Sequence, residues 1–407
     1  MVGLSSSKFS ERLKTNRKIK LYCTEVTRKL LSCMKDYTHL TDYTCALPID
    51  EPTLIGIPIL DGGGDGTIPQ AKQVTLTAIP AGHCPGSAML LIEGEEGNIL
   101  YTGDFRFEIG TARLLSSLHD TYGNPKNLLS IHCDTTFFTP KAHHLASRSE
   151  CEEAIVKEVK EHISQGPQHH VLLRVKAKLG YENVYRVIYD HLGVKTHIQK
   201  KDGHLYSQLP DILETITTDP SSQVHACCQY ITTENDASAS SHSVSKCETL
   251  QSPGVQTKVI HLSTIWFVES ETVQTTFRVD ANTVRCCYSF HSSYTEIADF
   301  IQYLRPKRVY PNVIPIQQSK EKAKAMLQAL LTEEVQGSFS SDEEQVESWK
   351  PINGMEMWWK KKRKASSDDE EATSVKVSRP AADNISITST TTRASTPEMD
   401  LWSDEEG

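Results

Sequence analysis

His83 and Asp104 carry side chains of the types that hold a divalent cation, and each stands where an apolar run gives way to small residues. Segment 79–106 opens IPAGHCPGS and closes YTGDFR. Gly82, Pro85, Gly86 and Ser87 let the backbone turn sharply beside an ion, and Gly103 does the same before Asp104. An imidazole and a carboxylate so placed suit hydrolysis at a metal, which lowers the pKa of bound water and offsets charge developing on a phosphodiester. Either residue alone is more often structural; the pair in this context carries the argument. Arg174, Lys176 and Lys178, in RVKAKLGYE, follow an apolar run and precede a helix start, a natural place for phosphate contact. A solvated charged loop fits that trio equally well. His197, His225, Cys227 and Cys247 have the ligand types of a Cys2His2 zinc site, but H-x27-H-A-C-x19-C is not a zinc-finger spacing.

These side chains need elements to position them. Segment 18–33 reads as a strand followed by a helix, and the glycine run 62–66 as an exposed turn. Val74, Leu76 and Ala78 alternate with polar neighbours, and 88–93 pairs through the turn 94–97 with 98–105, a hairpin that brings His83 and Asp104 to sheet edges. After Asp134 the pattern becomes βα alternation. Ser147 and Glu150 form a capping box before a helix that ends at Gly166-Pro167; a strand at 171–175 and a helix at 181–192, stopped by Gly193, follow. Residues 229–256 are polar and read as a long surface excursion. Strands return at 257–263 and 284–290, and a helix at 294–304 turns Ile297, Phe300, Ile301 and Leu304 to one face.

With 407 residues, 38% of them apolar, the chain can build two cores and a tail. A net charge of −9 argues against coating nucleic acid by bulk charge, though a local basic groove can still bind phosphates. No long apolar run predicts a membrane segment or a signal peptide. Eleven scattered cysteines predict reduced thiols in cytosol or nucleus, a subset of them holding metal.

HCPGSAML and YTGDFR resemble the third and fourth metal-binding motifs of the metallo-β-lactamase fold, in the wording of its β-CASP DNA-repair nucleases. Asp134 in HCDTTF, His291 in SFHSSY and Val313 in YPNVIP resemble the three β-CASP motifs. The resemblance implies an α/β chain: an N-terminally truncated metallo-β-lactamase αββα sandwich (1–145 and 284–335), an inserted β-CASP α/β domain (146–283) and a disordered tail (336–407). It implies that His83 and Asp104 ligate the catalytic metal and that Asp134 and His291 are catalytic, with Ser289, His291 and Ser292 around a substrate phosphate. Arg174, Lys176 and Lys178 become DNA-backbone contacts, and His197, His225, Cys227 and Cys247 a structural Zn2+ site. Valine at 313, where RNA-cutting members carry histidine, implies DNA. The expected cofactor is Zn2+, with Mg2+ or Mn2+ as alternatives at the catalytic site. The implied function is a metal-dependent endo- and exonuclease that opens hairpins and trims overhangs in end joining and V(D)J-type recombination. The rivals are a catalytically dead DNA-end-binding scaffold and an RNA-processing enzyme of the same class.

The family's first motif, HxHxDH, does not occur, and Met1-Val2-Gly3-Leu4 resembles the stretch that follows it. The expectation is that the first strands and most metal ligands are missing, that cleavage is lost unless they are restored, and that a sheet edge is left bare. In the tail, Lys360, Lys361, Lys362, Arg363 and Lys364 fit a nuclear import signal. Trp358 and Trp359 suggest a docking peptide, for which the family implies DNA ligase IV; DNA-dependent protein kinase is the other implied partner.

Overall fold

The structure, a computed structural model, describes residues 19–58, 71–227, 247–315 and 318–332, together with Glu11 and Leu13. The glycine turn at 62–66, most of the polar excursion, the import signal and Trp358 and Trp359 lie outside the described residues.

The first sheet grows from the predicted hairpin. β3 (Thr53–Pro58), β4 (Ala71–Pro80), β5 (Ala88–Gly94) and β6 (Gly97–Tyr101) run antiparallel, and β7 (Leu128–Cys133) and β15 (Val309–Pro311) add in parallel beyond β6, giving the order β15-β7-β6-β5-β4-β3. Alternation sets its two faces. Ile79, Met89, Leu91, Leu100, Ile131 and Cys133 form one core with Ile297, Phe300, Ile301 and Leu304 of a helix (Tyr294–Leu304) and Leu327 and Leu330 of another (Lys320–Thr332). Each side chain fully buried there stabilises by about 1.5–3 kcal/mol. The opposite face meets a two-stranded parallel sheet, β1 (Leu21–Thr24) with β2 (Thr44–Leu47), through Tyr22, Leu47, Ile55, Ala78 and Leu90. Sheet therefore packs on sheet with helices outside, the layering of an α/β sandwich. β3 is the outer strand of this sheet among the described residues and leaves Leu54 and Ile57 exposed.

The second sheet has seven strands in the order β10-β9-β11-β8-β12-β14-β13, parallel except for the last. Its strands are β8 (His169–Arg174), β9 (Thr196–His197), β10 (Ile216–Thr217), β11 (Val224–His225), β12 (Gln256–Leu262), β13 (Thr276–Arg278) and β14 (Thr283–Cys286). Helix α1 (Glu25–Cys33) precedes β2; α2 (Arg148–Ile163), with the Ser147–Glu150 capping box in place, precedes β8, and α3 (Glu182–Leu192) follows it, capped by Gly193 at φ 66°. The helices after β14 and β15 are α4 (Tyr294–Leu304) and α5 (Lys320–Thr332).

Three boundaries differ from expectation. The hairpin's second strand stops at Tyr101, because Thr102–Asp104 turn out into the site. The strand expected at 284–290 ends at Cys286, where the chain must leave the sheet to present His291. The break placed between 283 and 284 falls inside β14, whose pairing with β12 and β13 keeps residues 283–286 in the second sheet.

Candidate active site and a second metal cluster

Four loops meet at the carboxyl ends of β4, β6, β7 and β14. The first, after β4, is folded by Ser87, whose hydroxyl accepts from the amides of His83 (3.3 Å) and Cys84 (3.1 Å) and donates to the Cys84 carbonyl (2.8 Å). Gly86, at φ 79°, gives its carbonyl to the hydroxyls of Thr24 and Thr27, both at 2.8 Å, which clamps the loop to the start of α1. A Cβ on Gly86 would meet Thr27 Oγ1 at 2.7 Å and Thr27 N at 2.8 Å. Gly86→Ala is expected to cost about 1–3 kcal/mol for the left-handed backbone alone, read as the shift in a urea denaturation curve. Wild-type stability in that variant would mean the clamp is not a constraint.

His83 Nδ1 lies 3.0 Å from the Phe290 carbonyl, which can only accept, so Nδ1 carries the proton and Nε2 keeps its lone pair. That lone pair sits 3.9 Å from Asp104 Oδ2. Burial, then the nearby His291, lowers the His83 pKa, favouring the neutral, ligand-competent ring. Asp104, on the second loop, is exposed.

Asp134, 1% exposed, directly follows β7. Its Oδ2 accepts from His291 Nδ1 at 2.7 Å and from the Phe105 amide at 3.3 Å; its Oδ1 accepts from the Thr136 amide (2.9 Å) and hydroxyl (2.6 Å). Burial on its own would raise this carboxyl, but the hydrogen bonds from His291 and Thr136 outweigh it and hold the pKa below the usual range. With both oxygens engaged, Asp134 orients His291 and leaves Nε2 to the site. Ligand atoms of Asp104, Asp134 and His291 lie within 4.8 Å of one another, and the His83 and His291 rings are 4.9 Å apart. Among the described residues, His83, Asp104 and His291 offer one side chain each, part of the four to six donors a divalent ion takes.

Other expected site residues behave differently. Ser289 and Ser292 are 2% and 1% exposed; Ser289 donates to the His291 carbonyl at 2.7 Å and Ser292 accepts from the Phe107 amide at 2.9 Å. Their hydroxyls bond backbone groups in and beside the His291 loop. Val313 is neither buried nor in a strand: it is 39% exposed just past β15, and its carbonyl accepts from the Thr135 hydroxyl beside Asp134. Lys176 and Lys178 are exposed on the β8–α3 loop, where Lys178 pairs with Asp202 at 3.2 Å; Arg174 contacts His261 on the sheet itself.

Two arginines that the motifs did not single out brace the site. Arg106 donates to the carbonyls of His291 (3.0 Å) and Ala146 (3.1 Å) and pairs with buried Glu296 at 3.0 Å. Arg148 reaches the carbonyls of Ser289 (3.3 Å) and His83 (3.4 Å), tying two of the loops together. The lone arginine in the apolar run FRF was the available signal for Arg106; nothing in the sequence marked Arg148.

Glu152 and Glu182 lie buried near Arg148, and burial pushes each carboxyl up to about 7. A carboxyl raised in the folded state binds its proton more tightly than in the unfolded chain. Its contribution is therefore full below the unfolded pKa near 4.5 and is lost as pH rises through about 7. The double variant Glu152→Gln/Glu182→Gln is expected to gain stability relative to wild type between pH 5 and pH 8, in paired urea titrations. A pH-independent difference would refute it.

The second cluster sits on the second sheet. Register places His197 of β9 beside His225 of β11; Cys227 follows β11 by two residues, and Cys247 caps the one-turn helix Glu248–Gln251. All four are buried. The two Nδ1 atoms are 3.0 Å apart, and the sulfurs lie 3.7 to 4.0 Å from them. Zinc bonded at about 2.0 Å to nitrogen and 2.3 Å to sulfur in a tetrahedron needs ligand atoms roughly 3.3–3.8 Å apart. His170 Nδ1 meets the far nitrogen of His225 at 3.0 Å, the outer contact a ligating imidazole needs. Burial, then His197 and His170, drives the His225 pKa down to about 3, so the ring stays neutral. Cys228, an adjacent competitor for Cys227, lies outside the described residues.

The family model described as DNA repair metallo-beta-lactamase matches residues 210–317. Protein artemis of Gallus gallus is 38% identical over 333 residues, 81% of this chain and 45% of that protein. The Homo sapiens protein artemis is 35% identical over the same length, 81% of this chain and 46% of its own. The 5' exonuclease Apollo of Rattus norvegicus is 30% identical over 293 residues, 72% and 46% of the two chains. The chain spans somewhat less than half the length of these curated relatives.

Proposed function

The chain belongs to the DNA repair metallo-β-lactamase family, and from that premise we propose that it is the core of a metal-dependent DNA nuclease. The observation that carries this reading is the Asp134–His291 dyad meeting Asp104 and His83 where loops from both sheets converge. His83, Asp104 and His291 would hold a divalent cation, which supplies an activated nucleophile near neutral pH and charge for the phosphodiester. Asp134 holds the His291 ring in the tautomer that faces the site, and Arg106 and Arg148 fix the loops. With three donors facing outward among the described residues, cleavage calls for further ligands of the HxHxDH kind.

The reading extends to double-strand-break repair by end joining in the nucleus, with overhangs and hairpins as substrates and DNA ligase IV and DNA-dependent protein kinase as partners. It assigns residues from about 146 to 286 as the inserted β-CASP domain, and His197, His225, Cys227 and Cys247 as a structural zinc site. Val313, exposed at the rim, supports DNA over RNA. The test is cleavage of matched DNA and RNA overhangs and a DNA hairpin with added Zn2+, Mg2+ or Mn2+, by the chain alone and with an HxHxDH segment supplied. DNA cleavage abolished by Asp104→Asn is expected; none under any of these conditions sinks the nuclease reading. The donor count among the described residues favours a second reading, a DNA-end-binding scaffold, which predicts binding that Asp104→Ala leaves unchanged.

A further inference from the structure

Val171, Leu173, Ile260, Leu262 and Val284 bury one face of the seven-stranded sheet under α2 and α3. The opposite face carries a row of side chains fixed by register. Arg174 of β8 is the partner of His261 of β12, His261 of Arg285 of β14, and Arg285 of Phe277 of β13. Paired residues share a face, so four adjacent strands present Arg, His, Arg and Phe side by side. The Arg174 guanidinium contacts His261, and Arg285 lies 5.4 Å from the centre of the Trp266 ring. Trp266 and Phe277 are 4.6 Å apart at 37°, and Phe277 is 43% exposed.

Burial first, then Arg174, Arg285 and Lys176, push the His261 pKa down to about 4. The charges that act on this ring are thus all cationic, and the ring itself is neutral at pH 7. β14 leads from Arg285 to His291, six residues on. Cationic side chains beside half-buried Trp266 and exposed Phe277 match a ligand that offers phosphates and uncovered base faces together, which a single strand does and a duplex does not.

We propose that Arg174, His261, Arg285 and Phe277, with Trp266, form the track for the single-stranded segment of a DNA substrate, its phosphates at the arginines and its bases stacked on the aromatic pair. This rests on the DNA-nuclease reading above and needs no cleavage to be tested. Binding of the full chain is measured by fluorescence anisotropy on a blunt duplex and on the same duplex with a thymidine overhang, across a salt series. Phe277→Ala, at an exposed position, is expected to weaken overhang binding about 5- to 100-fold and to spare the blunt duplex. Arg174→Gln/Arg285→Gln should reduce the slope of log K against log salt by roughly 1 to 2. Urea midpoints equal to wild type verify folding. If both variants bind overhang DNA as wild type does, or lose blunt and overhang binding equally, the track is overturned while the nuclease reading stands. A wild-type chain that binds neither DNA overturns both.

Discussion

Cys227→Ser or Cys247→Ser is expected to remove one zinc ion per chain and to lower the melting temperature by roughly 10 °C. The reason lies in what surrounds the cluster. β9 and β11 are two residues long each, so few backbone bonds hold this side of the sheet. A structural zinc binds with about 10–16 kcal/mol in small peptides, and that free energy is folding free energy. A larger domain that keeps its hydrophobic core loses only part of it; about 4 kcal/mol in a domain of this size corresponds to the stated shift. Without a cation, two imidazole nitrogens 3.0 Å apart in a buried site can share only one proton between them, and both thiols remain in the same small space. His170→Ala separates the inner from the outer contacts: it should weaken zinc by about 10- to 100-fold without abolishing it. Elemental analysis gives the stoichiometry, and cobalt substitution gives a sulfur-to-metal charge-transfer band that either cysteine variant should diminish. Wild-type protein that takes up no zinc when zinc is supplied, or serine variants that melt with the zinc-loaded wild type, would refute the assignment.

The sequence made some of this legible and hid the rest for physical reasons. That His83 and Asp104 come together could be read from the small residues beside each polar side chain at the end of an apolar run. α4 could be read from its apolar stripe and the proline beyond it. The His197–His225–Cys227–Cys247 cluster could not be read from spacing, since His197 and His225 become neighbours only through parallel pairing, whose register one chain does not declare. The resemblance puts Ser289 and Ser292 around a phosphate but says nothing of depth, and both hydroxyls are buried against backbone. The Arg174–His261–Arg285 row was hidden in the same way: its members are 87 and 24 residues apart in sequence, and adjacent only in the sheet.

In a form of the protein that cleaves DNA, Asp134→Asn is expected to reduce kcat on the order of 10³-fold while KM stays near wild type. Asp134 accepts the Nδ1 proton of His291 and thereby selects, for the neutral ring, the tautomer whose Nε2 lone pair is left to the site. An asparagine can place its oxygen toward Thr136, but its NH2 then faces Nδ1 and forces that nitrogen to become the acceptor. The proton moves to Nε2, and a ring protonated there can neither ligate a cation nor accept a proton. The same exchange in other Asp–His pairs costs up to about 10⁴ in rate with little change in geometry. Substrate contacts away from the dyad are untouched, which is why KM should hold. Two comparisons separate this from simple damage. Asp134→Ala removes the acceptor for Thr136 and Phe105 as well, so it should lose about 1–3 kcal/mol of stability that Asp134→Asn retains in part. His291→Ala should match Asp134→Asn in kcat, and the double variant should be no slower than either single one, because the two side chains act as a unit. Losses that multiply in the double variant would mean that Asp134 and His291 act independently, and the dyad would have to be abandoned.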